Sequence, residues 1–241
     1  MCIRPAYAIQ TQDCLPLCLF LKSMSIKAVI AGASGLIGST LVKQILTNAK
    51  FTEVVLLSRR LTGVYRDKVS EEIVDFDHLE KSASLISGDI IFSCLGTTKS
   101  KTPDPSTYHK IEYDYTLSLA QIGLEQGVSQ FHYVSSLGAD SSSSNSYLRL
   151  KGEVEEALKN LPFKSVHIYQ PSYITGERRE KRWEDSLIKP VMRLLNPLLS
   201  GKLSKYKSIT AESVVSTMLK QSLKNLEGTF TYPSNIIQQL S

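Results

Sequence analysis

A tyrosine and a lysine stand at a spacing that lets them act together. Tyr147 and Lys151 are four residues apart, so on an α-helix they lie on one face. A positioned ammonium favours the phenolate form of a neighbouring tyrosine, which makes the phenol a usable proton donor or acceptor near neutral pH. The sequence therefore predicts an acid–base pair at the start of a helix.

Two serines precede this pair. The apolar run Phe131-His-Tyr-Val134 predicts a buried strand, and Ser135 and Ser136 follow it directly. A serine hydroxyl near the phenol can polarise a substrate carbonyl. We expect Ser136 to fill this role, with Ser135 as the alternative.

A glycine-rich loop follows the first predicted strand and begins the first predicted helix. Its spacing is G-x-x-G-x-x-G, and in this context glycines let the backbone turn sharply and approach a pyrophosphate at a helix N-terminus. A tight turn without a ligand is the structural alternative. The predicted dinucleotide-binding residues of this loop are Gly32, Ser34, Gly35, Leu36, Ile37 and Gly38.

The end of the second predicted strand points to the kind of dinucleotide. Chains that prefer NAD usually carry an acidic residue about 20 residues after the glycine loop. This chain has Arg59 and Arg60 there, and a guanidinium pairs well with a 2′-phosphate. The sequence therefore predicts NADP(H) rather than NAD(H), although the two arginines could also form a solvated surface pair.

Further candidate cofactor residues follow the later strands. Asp75 could accept a hydrogen bond from the adenine amino group or cap the next helix. Cys94 is better interpreted as a small buried residue than as a nucleophile. The other predicted cofactor-binding residues at these strand ends are Phe76, Leu95, Gly96, Thr97, Pro171 and Ser172.

Strands and helices alternate along the chain, which predicts an α/β fold. Apolar strands that are each followed by a helix indicate a Rossmann-like, doubly wound parallel sheet. We expect one domain over residues 24–241 with a small C-terminal substrate or lid region. We interpret residues 1–23 as an N-terminal extension that is disordered or results from a start codon placed too early, with a targeting or membrane-tethering segment as the alternative. Residues 172–208 should determine the substrate; their apolar side chains could floor a pocket, cover a dimer interface or complete the core.

Composition excludes several classes of protein. The 241 residues carry a net charge of +5, without the long basic block of a nucleic-acid-binding protein, and the basic stretch 178–182 is interrupted by acid. No apolar run is long enough to span a membrane. The four cysteines and four histidines lack metal-ligand spacing, so no metal is expected, and a reducing, cytoplasmic location is predicted. The expected partner is a small-molecule substrate, with a protein partner possible, and the chain should be a monomer or homodimer.

The motifs together resemble the atypical short-chain dehydrogenases/reductases, and more specifically the Tat-interacting-protein-like oxidoreductases. The resemblance covers residues 25–180, and it implies a Rossmann-like fold that binds NADPH. It also implies that Tyr147 is the acid/base, that Lys151 supports it and binds the ribose, and that Ser136 polarises the carbonyl. The shared stretches are Gly32-Ala-Ser-Gly35, Ser58-Arg-Arg60, Val74-Asp-Phe76, Cys94-Leu-Gly-Thr-Thr98, Ser135-Ser136 with Gly138-Ala-Asp140, and Tyr147-Leu-x-x-Lys-Gly-Glu-Val-Glu155.

The chain also departs from the pattern of many short-chain reductases. Cys94-Leu-Gly96 replaces their Asn-Ala-Gly turn, and Glu112-Tyr-Asp114 stands where many carry a catalytic asparagine. Two functions are therefore expected as alternatives. The first is an NADP(H)-dependent reductase that transfers hydride to a small carbonyl substrate, and the second is an NADP(H)-sensing regulatory protein that binds a protein partner.

Overall fold

The structure, a computed structural model, describes residues 25–64, 66–176, 199 and 201–241. Seven strands form the main sheet and two form a small one. The strands are β1 (Ile26–Ala31), β2 (Phe51–Ser58), β3 (Val69–Ile73), β4 (Ile90–Ser93), β5 (Gln130–Val134), β6 (Ser165–Gln170), β7 (Ile174–Thr175), β8 (Ile209–Thr210) and β9 (Gly228–Pro233). The order in the main sheet is β3-β2-β1-β4-β5-β6-β9, and all six pairings are parallel.

Within the described residues, five α-helices and two 3₁₀ helices accompany the strands. The second α-helix contains one π-helical turn, Lys110–Asp114, between the α-helical parts Pro105–His109 and Tyr115–Glu125, and we call the whole of it α2. The others are α1 (Leu36–Thr47), α3 (Ser146–Lys159), α4 (Ala211–Ser222) and α5 (Ser234–Leu240), with 3₁₀ helices at Phe76–Leu85 and Gly201–Tyr206.

Apolar side chains on both faces of the sheet explain why its strands are continuous apolar runs. In β1, Ala28 and Ile30 point into a core that includes residues of α1, α4 and α5. Val29 and Ala31 point into a second core, which includes residues of the first 3₁₀ helix, α2 and α3. All four side chains are fully buried, because successive residues of a strand face opposite sides. The predicted doubly wound α/β fold is confirmed.

The strand order reverses between β1 and β4, which creates the place where such sheets bind ligands. The chain runs from β1 outward to β2 and β3, and then returns to β4 on the other side of β1. The loops that leave β1 and β4 therefore diverge at the carboxyl edge and leave a crevice between them. The glycine loop and the segment beginning at Cys94 are these two loops.

The predicted elements agree with the structure except where they are short or lie outside the described residues. β4 has the predicted bounds, whereas the third strand was predicted at 73–74 and is found at Val69–Ile73. Residues 1–23, the basic stretch 178–182 and most of the predicted substrate segment lie outside the described residues. No helix in the described ranges has both the length and the apolar character needed to cross a membrane.

Candidate functional site

Two glycines of the loop after β1 are required by close backbone contacts. Gly32 has a φ of +86°, and a Cβ atom there would lie 2.5 Å from the carbonyl oxygen of Cys94. A Cβ atom at Gly38 would lie 2.1 Å from the carbonyl oxygen of Gly32. The first contact brings the loops after β1 and β4 together, and the second lets α1 begin directly beneath the turn.

Gly35 is different, because it is open on the side of the crevice. It is the N-cap residue of α1, and a Cβ atom there would meet only the Gly32 oxygen, at 3.4 Å. No side chain hydrogen-bonds to this helix cap, and the first turn of α1 carries no acidic residue. The N-terminal N–H groups of α1 are therefore suited to a pyrophosphate, which the helix dipole also favours.

A cleft of about 730 Å³ extends from this helix end across the carboxyl edge. Ten of the predicted cofactor residues line it: Gly32, Ser34, Gly35, Leu36, Arg59, Arg60, Phe76, Leu95, Gly96 and Thr97. Lys101, Ile111 and Tyr115 also line it and were not predicted. Among the described residues that line the cleft there are three basic side chains and no acidic one. The cleft thus offers a net positive charge to a phosphate-bearing ligand.

Side-chain contacts fix the part of the cleft that Phe76 and Tyr115 line. Phe76 is buried, and its ring lies 5.4 Å from that of Tyr115, measured between centroids. The Tyr115 hydroxyl donates to Asp77, which also accepts from Lys110 at 2.8 Å. Burial and this carboxylate raise the pKa of Tyr115 to about 12, so the phenol stays protonated and keeps donating. Asp75 caps the 3₁₀ helix by accepting from the Asp77 N–H at 2.9 Å, as one of its two predicted roles required.

Besides Asp75, Tyr147 and Lys151, four further predicted cofactor residues are not among those that line the cleft. Ile37 is a core residue of α1, and Gly38 is enclosed by the turn. The carbonyl of Pro171 accepts from the Leu137 N–H at 2.9 Å, which steadies the loop after β5. The Ser172 hydroxyl donates to the carbonyl of Lys207 and also contacts the Ser234 hydroxyl at 2.9 Å. Cofactor contacts for these four residues remain predictions.

Lys151 is buried at the centre of the acid–base region. Its ammonium lies 2.9 Å from Glu112 Oε2, 3.1 Å from the Tyr133 hydroxyl and 3.2 Å from the Val134 carbonyl oxygen. Burial acts to lower the pKa of Lys151, but the Glu112 carboxylate, Tyr133 and Tyr147 outweigh it and hold that pKa well above the ordinary value. Lys151 is therefore a permanent cation near Tyr147, whose side chain is half-buried.

The two serines have different surroundings. Ser135 is buried and donates to Glu155 Oε1 at 2.5 Å, and the same carboxylate accepts two hydrogen bonds from Gln170, at 2.9 and 3.1 Å. Ser136 is half-buried and stands outside this network. The geometry thus favours Ser136 as the hydroxyl that is available to a substrate.

Cys94 is half-buried and lines the cleft, so the prediction of a buried residue is only partly met. The surroundings of its sulfur raise the pKa of the thiol to about 12 by desolvation, so the thiol is protonated at neutral pH and is a poor nucleophile. This agrees with the interpretation of Cys94 as a small residue rather than a nucleophile.

Glu112 is a further residue of the site that the sequence analysis did not assign to it. Its ion pair with Lys151 joins two helices that are distant in sequence, and its Oε1 accepts from the Thr97 N–H at 2.6 Å. One signal pointed to it: an acidic residue stands at the position where the resemblance leads one to expect asparagine. The sequence alone does not show that a π-helical turn places it opposite Lys151.

The chain matches known proteins along most of its length. A family model described as the NAD dependent epimerase/dehydratase family matches residues 28–235. Protein HTATIP2 of Rattus norvegicus is 36% identical over 165 residues, which are 67% of this chain and 68% of that protein. The mitochondrial protein fmp52 of Aspergillus niger is 30% identical over 179 residues, which are 71% of this chain and 76% of that protein. These matches confirm the resemblance inferred from the motifs.

A solved structure shares the fold. MoeE5, in complex with UDP-glucose and NAD, superposes with a TM-score of 0.65 at 16% identity, covering 86% of this chain and 75% of that chain. At such low identity the superposition supports the Rossmann-like fold alone.

The predicted cytoplasmic location is wrong. The Aspergillus niger relative and others of the same name are mitochondrial proteins by name. The prediction rested on cysteine usage, which separates reducing from oxidising surroundings and does not identify the organelle.

The glycine loop, the cleft at the strand-order reversal and the match over residues 28–235 agree with one another, and the chain belongs to the NAD dependent epimerase/dehydratase family.

Proposed function

We propose that the chain is an NADP(H)-dependent reductase of the short-chain type, which transfers hydride to a small carbonyl substrate. The observation that carries this proposal is the cleft, in which a helix N-terminus and two arginines face the same space and no acidic side chain is found among the described lining residues. Its volume of about 730 Å³ is within the range of cofactor sites.

The arginines support NADP(H) over NAD(H). Arg59 and Arg60 are both exposed at the end of β2, where NAD-preferring proteins carry a carboxylate for the ribose 2′-hydroxyl. The loop that follows them is held by Glu71, whose carboxylate accepts from the N–H groups of Thr62 and Gly63 at 2.5 and 3.2 Å. The Glu71 carboxylate, which holds this loop from β3, is thus occupied with backbone donors.

The acid–base region supplies the groups for reduction of a carbonyl. A bound nicotinamide supplies the hydride chemistry. Tyr147 would donate a proton to the developing alkoxide, and Ser136 would donate a hydrogen bond to the same oxygen. The Lys151 ammonium would stabilise the phenolate that forms as Tyr147 gives up its proton, and water would return a proton to Tyr147 before the next turnover. Pro171 supports this arrangement by fixing the loop that carries Ser136.

Replacement of the phenol tests the proposed reaction. Tyr147→Phe removes only the hydroxyl, so we expect turnover of NADPH with a carbonyl substrate to fall at least about 100-fold. The dissociation constant for NADPH should change less than about threefold. Tyr113→Phe, at a half-buried tyrosine whose ring stacks on that of His109 with centroids 5.1 Å apart, is the matched control and should retain activity. Unchanged turnover in the Tyr147 variant would contradict the mechanism and favour the regulatory alternative.

A further inference from the structure

Glu112 connects two parts of the candidate site. Its side chain is 2% exposed. One oxygen accepts from the Thr97 N–H in the loop after β4, at 2.6 Å, and the other lies 2.9 Å from the Lys151 ammonium on α3. Gly96 also lies against this carboxylate, since a Cβ atom there would be 3.4 Å from Glu112 Oε1. The carboxylate therefore contacts both the cofactor cleft and the acid–base pair.

The backbone around Glu112 is unusual. Glu112 is the central residue of the π-helical turn Lys110–Asp114 within α2. Such turns are rare, and they are frequent at functional sites because the wider turn changes which side chains face inward. This turn places an acidic side chain in the interior, where an unpaired carboxylate would be costly.

We propose that Glu112 is a positioning residue of this site, the counter-ion that holds the Lys151 ammonium in place and ties it to the loop after β4. The proposal rests on the proposed function in that Lys151 serves Tyr147. Lys151 acts on the phenol, and Glu112 acts through Lys151.

The surroundings of Lys151 show why a counter-ion is needed. The titratable groups that face its ammonium are Glu112 from α2, Tyr133 from β5 and Tyr147 from α3 itself. Of these three groups, Glu112 is the only carboxylate. Tyr133 is fully buried, and its raised pKa keeps its hydroxyl neutral. Without Glu112, the ammonium would be a buried cation among neutral groups, which is strongly destabilising.

Four variants of the full chain, unfolded thermally at pH 7 and pH 10 without cofactor, test the counter-ion. Glu112→Gln keeps the acceptor for Thr97 and the shape of the side chain but removes the charge. Lys151→Met removes the cation, and the double variant removes both charges. Glu155→Gln is the matched control, because Glu155 is also buried but its nearest cation, Lys159, is 41% exposed.

The direction of the expected pH dependence follows from the pKa of Lys151. In Glu112→Gln, burial lowers the pKa of Lys151 without an opposing carboxylate, so the native state resists protonation that the unfolded chain accepts below about pH 10. The melting temperature should fall by about 6–15 °C at pH 7 and by much less at pH 10. The double variant should recover at least half of the loss at pH 7. The control should show no such dependence on pH.

Two results would overturn the proposal. The first is a loss in Glu112→Gln that is equal at pH 7 and pH 10, and the second is a loss in the double variant that equals the sum of the single losses, because either result describes a side chain that only fills space. If Glu112→Gln does not fold, the double variant decides: it should fold, and its failure to do so would also contradict the proposal.

Kinetics with NADPH separate this proposal from the proposed function. Glu112→Gln should lower kcat about 100-fold by misplacing the ammonium, while the NADPH dissociation constant changes less than about threefold because the Thr97 contact is kept. An unchanged kcat would contradict the positioning role. If the unaltered chain binds no NADPH, the proposed function fails, and the unfolding series still decides whether Glu112 is the counter-ion.

Discussion

Ser135 and Ser136 show how two identical neighbouring side chains can have different roles. β5 ends at Val134, and beyond it Ser135 turns inward to Glu155, where its hydroxyl is buried in a network with Gln170. Ser136 stays half-buried at the carboxyl edge of the sheet. The resemblance to short-chain reductases pointed to a serine here, and the contacts of Ser135 indicate which one is free to meet a substrate.

Two alanine substitutions should separate these roles. Ser136→Ala should lower turnover about 100-fold or more by removing a donor to the developing oxyanion, and it should change the free energy of unfolding by less than about 0.5 kcal/mol. Ser135→Ala should destabilise the protein by about 1.5–3 kcal/mol, because it removes a hydrogen bond to a buried carboxylate. Steady-state kinetics measure the turnover of both variants, and urea unfolding measures their free energy of unfolding. A larger loss of turnover in Ser135→Ala would reverse the assignment.

The loop from β1 to α1 combines two kinds of glycine. Gly32 and Gly38 are needed for the path of the backbone, since a Cβ atom at either position would collide with a carbonyl group. Gly35 has no such collision and lies at the edge of the cleft. A substitution at Gly35 should therefore leave the fold intact and change the binding of a ligand in the cleft.

A methyl group at each position should distinguish folding from binding. Gly35→Ala should weaken NADPH binding at least about tenfold, about 1.4 kcal/mol, because the methyl group enters the path of a pyrophosphate, while the melting temperature stays nearly unchanged. Gly38→Ala should destabilise the fold by at least about 1–3 kcal/mol through overpacking. Fluorescence titration and thermal unfolding provide both values. Normal NADPH binding by Gly35→Ala would mean that the cofactor does not approach this turn.

The elements themselves were largely predictable. Apolar runs such as Ile90-Ile-Phe-Ser93 are buried on both faces and give clear strand bounds. β3 is an edge strand with the sequence Val-Ser-Glu-Glu-Ile, so its polar residues hid its extent. The two-residue strands β7 and β8 and the seven-residue α5 are too short for any periodicity. The π-helical turn in α2 depends on tertiary contacts, so helical spacing cannot show it.

Across the whole molecule, the sheet brings two buried histidines together. His132 in β5 and His167 in β6 are register partners, and their rings stack with centroids 4.4 Å apart. Each contacts a tyrosine hydroxyl at 3.0 Å, His132 that of Tyr169 and His167 that of Tyr232. Burial lowers the pKa of both, that of His167 to about 4, and the neighbouring His167 lowers that of His132 further. Both are therefore neutral in the folded protein.

This pair should make the fold sensitive to acid. The pKa values of the two histidines in the folded protein lie below their value of about 6.5 in the unfolded chain. Their contribution to the free energy of unfolding is therefore fully present above pH 6.5, and it is lost as the pH falls towards about 4, because only the unfolded chain takes up protons there. Within that pH window, each histidine should lower the free energy of unfolding by about 1.4 kcal/mol for each unit that the pH falls. Urea unfolding between pH 7.5 and pH 5 measures the slope. His167→Gln should reduce the slope, and His109→Gln, at an exposed histidine, should not. A flat profile in the unaltered chain would contradict this.

The two buried pairs differ in how far the sequence could reveal them. His132 and His167 hold the second position of two similar apolar runs, and their contact follows from the parallel register of the two strands, which the sequence analysis did not predict. The Glu112–Lys151 pair needs the strand order, the helix positions and the π-helical turn together. The cleft was predictable in part. The loops that form it follow from the order of the elements, but its shape depends on backbone contacts such as that of Gly32 with Cys94.

The most direct test of the account is a calorimetric titration of the full chain with NADPH and NADH. We expect NADPH to bind at least about tenfold more tightly, because Arg59 and Arg60 line the cleft at the end of β2, where we propose that the 2′-phosphate binds. Arg59→Ala should remove most of this difference, and Lys43→Ala, at an exposed cation on α1, should leave it intact. Equal affinity for the two dinucleotides in the unaltered chain, or tighter binding of NADH, would contradict the NADP(H) assignment.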